Sequence, residues 1–152
     1  MKHTRTPKDI SLSWFEDVWN RRSFDLASEL FPDSGVAHIE GGGQLKGSED
    51  FLAYQREFLD AFPDMKVNVL GAIEDGNDVC VRWEVTATHT GSALGYAPTG
   101  KTVKFSGMTW HRIIDGKIVE GWDAWNQAAL FESLAPGIEH PDKPNKAALA
   151  NR

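Results

Sequence analysis

The dipeptide Asp115-Gly116 constrains this chain more than any other feature. It separates two long runs of β-branched and aromatic residues, and an Asp-Gly pair supplies the positive φ values that a two-residue type I′ turn demands. Gly95 to Asn126 is therefore expected to form an antiparallel hairpin. A turn cluster, Ala97-Pro98-Thr99-Gly100-Lys101, precedes its first strand, and its second strand ends in Trp122, Asp123, Trp125 and Asn126. Two indoles together with an acid and an amide are costly to bury unless the polar groups find partners, so this end of the hairpin points to a pocket.

Upstream, the apolar residues change period at Pro63. Before it they recur at helical spacing. Leu12, Phe15, Val18 and Trp19 make one stripe on a helix over Asp9 to Arg22. Ser23 caps a short helix bearing Phe24, Leu26, Ala27 and Leu30, which Pro32-Asp33-Ser34-Gly35 ends, and Ser48 heads a third bearing Phe51, Phe58 and Phe62. Between these helices Val36-Ala37-His38-Ile39 is a short strand candidate. After Pro63 the period is two: Met65 to Glu74 is a strand, Asp75-Gly76-Asn77-Asp78 a turn, and Val79 to His89 a second strand. Val79, Val81, Trp83, Val85, Ala87 and His89 share its apolar face. Gln127 to Leu134 adds a last helical turn. Three helices followed by a strand meander predict an α+β fold, a curved antiparallel or mixed sheet wrapped around the helices as a cone whose open end is a pocket. The domain is expected over residues 9–135, with polar tails over 1–8 and 136–152.

The formal charge of −6 and pI near 5.3, with no Lys/Arg-rich patch, argue against nucleic acid and anionic membrane surfaces as partners. Cys80 is the single cysteine, so there is no internal disulfide. No apolar run approaches the roughly 20 residues needed to cross a bilayer, and MKHTRTPKD lacks the apolar core of a secretory signal. A cytoplasmic location is the expectation. Six tryptophans and eight phenylalanines could fill a core or line a cavity for a small apolar ligand. Trp19, Phe58, Trp83, Trp110 and Trp122 are the candidates to line it.

Chemistry could come from His38, His89, His111, Arg112, Asp123 and Asn126. No histidine pair has the close spacing of a metal-ligand set, so no metal is expected. There is no Gly-x-Ser-x-Gly elbow, Cys80 has no adjacent base, and Gly41-Gly42-Gly43 lacks the Lys and Ser/Thr of a phosphate loop. Acid–base work remains. On the last strand Asp123 shares parity with Val119, Gly121 and Trp125, and Asn126 with Ile118, Glu120 and Trp122, so only one of the two faces the cone unless a bulge intervenes. His111 shares parity with Val103 and Phe105, yet the opposite face, with Met108, Trp110 and Ile114, also looks covered. A bulge near Ser106-Gly107 or a partner packed on the outer face would explain this.

Phe62-Pro63-Asp64, Val81-Arg82-Trp83, Thr88-His89-Thr90-Gly91, Gly95, Pro98-Thr99-Gly100-Lys101, Arg112, Asp115 to Glu120 and Trp122-Asp123 together resemble the SnoaL-like polyketide cyclase, or ester cyclase, family over roughly Ile10 to Leu134. The resemblance implies the nuclear transport factor two-like (cystatin-like) cone, also used by ketosteroid isomerase and scytalone dehydratase. It further implies a homodimer or homotetramer packed through the outer sheet face, and no metal or organic cofactor. Family cyclases close a ring of an aromatic polyketide methyl ester by intramolecular aldol chemistry, with an aspartate near the end of the last strand as base. In the family ending Trp-Asp-x-x-Asp the second acid takes that role, and that position is Asn126 here. Asp123 is retained, and His38 resembles a pocket residue of the family. Two functions stand. One is a cyclase-, isomerase- or hydrolase-like enzyme with Asp123, His38 or His89 as base and Asn126 and Arg112 orienting the substrate or holding an oxyanion. The other is a binding module for a small apolar, polyketide-like ligand.

Overall fold

The computed structural model describes residues 4–135. Thr6 and Asp9 close a capping box, with the Thr6 hydroxyl accepting from the Asp9 N–H at 3.1 Å and the Asp9 carboxylate from the Thr6 N–H at 2.9 Å. This starts α1 (Pro7–Ser13) two residues ahead of the expected Asp9, with Pro7 at the position where its missing N–H costs nothing. The chain then widens into a π-helix, Trp14–Asn20, and Arg21 N–H reaches back five residues to Glu16 O at 3.0 Å. In an α-helix Trp14 and Trp19 would project roughly 140° apart. The wider turn lets both pack on Phe51, at centroid distances of 4.4 and 5.5 Å. Asn20 ends the segment by pairing its side-chain amide with the backbone of Val67, donating to its carbonyl and accepting from its N–H, both at 2.8 Å.

Ser23 caps α2 (Phe24–Leu30), its hydroxyl accepting from the Leu26 N–H. The third helix, α3 (Gly47–Ala61), begins differently from the expectation: Lys46 is the N-cap residue, its N–H donates to Asp50 at 2.8 Å, and Ser48 is buried inside the first turn. Its last residues meet Pro63, which cannot continue the helix. The last helix of the described residues is α4 (Gln127–Leu134). No helix of the described residues is long and apolar enough to cross a membrane.

Among the described residues six strands form one open mixed sheet: β1 (Val36–His38), β2 (Gln44–Lys46), β3 (Lys66–Asp75), β4 (Asp78–Thr88), β5 (Thr102–Ile114) and β6 (Lys117–Trp125), in the order β2-β1-β6-β5-β4-β3. Only β1 and β6 run parallel; every other neighbouring pair is antiparallel. Asp115 and Gly116 have φ of 51° and 75°, the two positive values of a type I′ turn. The helices cover the inner face, which buries Val79, Val81, Trp83, Val85 and Ala87 of β4 on the alternation the sequence predicts. The fold is thus the expected α+β wrap of sheet around helices.

Pairing between β4 and β5 runs unbroken through Ser106 and Gly107, so the bulge expected there is absent. Two bulges lie elsewhere, with Leu70 as the extra residue on β3 and Val119 on β6. The second decides which face β6 presents. Ile118 pairs with Ile113 on the inner side, and the unmatched Val119 shifts the alternation so that Gly121, Asp123 and Trp125 also turn inward.

Gly107 is required by what crosses it. A Cβ there would meet the Trp125 Cβ at 2.5 Å, the Ala124 O at 2.7 Å and the Trp83 ring at 2.9 Å. Gly107→Ala is expected to lower stability by about 2 kcal/mol through overpacking, read as a shift of the urea midpoint at unchanged m-value.

The outer face carries one continuous cross-strand row. Ile73, Cys80, Trp110, Trp122, His38 and Gln44 are successive register partners from β3 to β2. Trp110 is 48% exposed and Ile73 76%, with Met108 and Ile114 beside them also exposed. This face therefore shows water an apolar band rather than the polar residues usual on the solvent side of a sheet.

Candidate functional site

Between the helices and the inner sheet face lies a narrow cavity of about 80 Å³. Trp14, Phe15 and Trp19 of the π-helix form one wall, Tyr54 and Phe58 of α3 a second, and Trp83, Phe105 and Trp125 a third. These rings brace one another, with Phe105 stacked on Trp125 at 5.0 Å and Trp83 edge-on to Phe105 at 6.3 Å. Toward the mouth a wider basin follows, bordered by Glu40, Tyr54, Glu57, Leu94, Gln127 and Phe131. Among the described residues, no lysine or arginine lines either space.

The polar groups converge on one wall. Trp83 Nε1–H donates to Thr109 Oγ1 at 2.9 Å, and Thr109 Oγ1–H donates to Asp123 Oδ1 at 2.6 Å. The direction of this chain is forced, because an indole nitrogen can only donate and the hydroxyl proton is then left for the carboxylate. Burial pushes the Asp123 carboxyl up to about 6; the Thr109 hydrogen bond opposes that shift and the nearby Glu40 adds to it. What surface Asp123 keeps faces the cavity it lines. Glu40 is itself held by the Trp125 N–H, 3.2 Å from its Oε2. Burial raises the Tyr54 phenol well above its usual range and the Asp123 charge adds to this, so the hydroxyl stays a donor.

Thr109→Val tests the chain. Removing the hydroxyl deletes the one contact that favours the ionised acid, so the Asp123 pKa should rise further, by about one unit. A carboxyl ¹³C titration of Asp123 checks this, and an unchanged or lowered value would show that Thr109 does not tune the acid.

His111 also reaches the cavity from β5. It is 4% exposed, its ring stacks on Phe15 at 5.9 Å and lies T-shaped to Trp14 at 6.3 Å, and its Nδ1 lies 2.7 Å from Ser11 Oγ on α1. Burial pulls its pKa down to about 3, so the ring is neutral at ordinary pH. Among the described residues no group of three or more His, Cys, Asp or Glu is placed to hold a metal ion.

This architecture comes with a sequence match: residues 10–134 fit the profile of the SnoaL-like polyketide cyclases. The chain belongs to that family. AclR of Streptomyces galilaeus, which carries a provisional hydroxylase designation, is 30% identical over 95% of this chain and 88% of its own, with a TM-score of 0.77. A SnoaL-like polyketide cyclase, provisionally so designated, from Jannaschia sp. CCS1 is 21% identical, covers 89% of this chain and 99% of its own, and superposes at a TM-score of 0.79. IdmH of Streptomyces antibioticus, a provisional polyketide cyclase, is 24% identical over 83% of this chain and 96% of its own, at 0.74. No curated protein matches the chain at a significant level.

Of the residues singled out from the sequence of this SnoaL-like chain, the structure brings Asp123, His111, Trp19, Phe58 and Trp83 to the cavity. It places the others elsewhere. Asn126 is exposed at the N-cap of α4, where its side-chain oxygen accepts from the Ala129 N–H at 3.1 Å; the Val119 bulge has turned its parity mate Trp122 outward as well. Trp110 and Trp122 therefore belong to the outer band. His38 lies there too, stacked on Trp122 at 5.5 Å and 3.7 Å from Glu120. Arg112 is exposed, bonded to Asp78 at 3.1 Å, with its guanidinium 5.5 Å from the Trp122 ring centre. His89 is fully buried but away from the cavity: its Nδ1 accepts from the Thr99 N–H at 3.2 Å, fastening the loop that follows β4, and its Nε2 has no partner among the described residues.

Tyr54, Thr109 and Glu40 are site residues that the sequence did not single out, and His111 was singled out with its face left open. For His111 the signal was its shared parity with Val103 and Phe105. Tyr54, one turn before Phe58 on α3, was legible from helical spacing and Thr109 from the parity it shares with His111, while Glu40 carries no sequence signal of its own.

Proposed function

We propose that this SnoaL-like protein catalyses an acid–base reaction on a small apolar or aromatic polyketide-like molecule, an intramolecular aldol closure, with Asp123 as the base. The observation that supports this most is one carboxylate with a raised pKa inside an aromatic cavity, engaged by Thr109 through Oδ1 alone. Oδ2 then takes an acidic α-proton, the resulting enolate carbon attacks a carbonyl carbon of the same molecule, and the acid returns the proton to the new alkoxide. One C–C bond forms and no atom is gained or lost, so the steps are proton transfers in a water-poor site and call on no cofactor. Isomerase chemistry would use the same base in the same way.

A second reading, a binding module without chemistry, draws on Asn126: the position of the second family acid is an exposed cap with no access to the cavity. Mass spectrometry after incubation with an aromatic polyketide methyl ester separates the possibilities. Closure gives an isomer of unchanged mass that is absent with Asp123→Asn. A product one oxygen atom heavier would instead assign hydroxylation, the activity in the designation of AclR, and unaltered ligand recovered bound would leave the binding module.

The exposed outer band supports a homodimer or homotetramer joined through that sheet face. A cytoplasmic location completes the proposal, consistent with a single unpaired cysteine and open to test by cell fractionation.

A further inference from the structure

We infer that His111 serves the cavity as a neutral hydrogen-bond donor through Nε2–H, with Ser11 setting that tautomer and Gly121 leaving the ring edge open to a ligand carbonyl oxygen. The inference rests on the cavity's being the reaction site and adds to it the group that receives the developing oxyanion.

Ser11 carries the first step. Its side chain is fully buried on α1, and among the described residues its hydroxyl has one side-chain partner, His111 Nδ1 at 2.7 Å. A buried hydroxyl proton without an acceptor is costly, so Ser11 Oγ–H donates to Nδ1. A neutral imidazole has one N–H, and with Nδ1 accepting it must sit on Nε2. Phe15 stacked on the ring and Trp14 nearly perpendicular to it hold the plane of the imidazole, and both are cavity walls. The desolvation that keeps the ring from charging keeps the donor in one protonation state.

The second step is access. Gly121 is the register partner of His111 on β6, and a Cβ there would lie 3.3 Å from the His111 Cδ2 and 3.9 Å from Nε2. Any side chain at 121 would therefore spread over the edge that bears the N–H. Both residues line the cavity, as does Asp123 two residues beyond Gly121 on the same inner face. A ligand whose α-carbon meets Asp123 can thus set its carbonyl oxygen against His111. As Asp123 removes the α-proton, charge develops on that oxygen, and a fixed neutral N–H in a dry site stabilises it without becoming a competing acid. Ser11 is a positioning residue: it touches no ligand and acts through the ring. The chemical class selected is an enolisable ketone or ester.

The test reads the tautomer directly, with no substrate present. Long-range ¹H–¹⁵N correlation spectra of ¹⁵N-labelled protein, with the His111 signals assigned from their absence in His111→Gln, should show a proton on Nε2 only and no imidazolium between about pH 5 and 8. A proton on Nδ1, a mixture of tautomers, or a ring that charges in that range overturns the inference. Ser11→Ala should admit the Nδ1–H form and Ser11→Thr should restore the single tautomer, whereas a structural role for Ser11 alone would leave the tautomer unchanged in both. In turnover, His111→Phe should lower kcat by about 10²–10³-fold with KM little altered. The two proposals fail separately. Nε2–H in place with no isomeric product sinks the cyclase reading, and turnover with the proton on Nδ1 sinks the donor.

Discussion

Asp123→Asn should lower turnover by about 10²–10⁴-fold and at the same time stabilise the fold above pH 6. The folded state holds this carboxyl at about 6 against an ordinary value of 3.8, chiefly because burial disfavours the ionised form. A raised folded pKa means that the favourable contribution is complete below about pH 4 and is lost as pH rises through about 6, beyond which the buried charge costs the fold about 3 kcal/mol. An amide does not ionise. The variant should therefore match the wild type near pH 4 and exceed it by up to about 3 kcal/mol at pH 8, measured by urea unfolding across that range. In the wild type kcat/KM should rise about tenfold per pH unit below 6 and level off above it as the base deprotonates. An Asp123→Asn protein that retains turnover would move the base elsewhere, and equal stability of the two proteins at pH 8 would show that the carboxylate is better solvated than its surroundings suggest. The pairing of lost activity with gained stability is what a strained functional charge predicts, since stability is spent where chemistry needs an unfavourable group.

The second large effect concerns assembly. Trp110→Glu should convert the proposed oligomer to monomer at micromolar concentration, weakening association at least about 30-fold, as expected for a tryptophan near the centre of an interface that buries about 800 Å² per partner. Trp110 sits mid-row between Cys80 and Trp122 on a face where Ile73 and Met108 are also exposed, so a glutamate there places a charge where the partner's apolar surface would lie. The monomer itself should remain folded because the side chain is half-exposed, and circular dichroism provides that control. Light scattering decides the matter: a wild type that runs as a monomer refutes the assembly.

The parts of this architecture that were legible in the sequence are those fixed by local chemistry. Asp115-Gly116 specifies its turn whatever surrounds it, and the alternation from Val79 to His89 is long enough that one reading buries every apolar side chain. What escaped depends on partners distant in the chain. The π-helix is held by Gln55, which donates to the Val18 carbonyl at 2.8 Å, and by Asn20 bonding to β3, so residues 14–20 contain no local signature of it. The choice between Asp123 and Asn126 rested on where β6 slips against β5, which a strand's own alternation does not reveal. The resemblance drew attention to Asn126 because a motif numbers positions along a strand, and the unmatched residue at Val119 changes what those positions face. His38 and Arg112 were drawn toward the cavity for the same reason. His111 was readable, but its strand has apolar residues on both sides, and an outer face covered by a partner resembles a core when only hydrophobicity is considered.

One consequence of the extra residue at Val119 reaches beyond this site. Because side chains flip with every residue, a backbone one unit shorter or longer between Ile118 and Gly121 would exchange the inward acid and indole for the outward ring of Trp122, with no functional side chain replaced. Strand length is therefore a control on reactivity in its own right: a cone of this kind can gain or lose an interior base by a single-codon insertion or deletion.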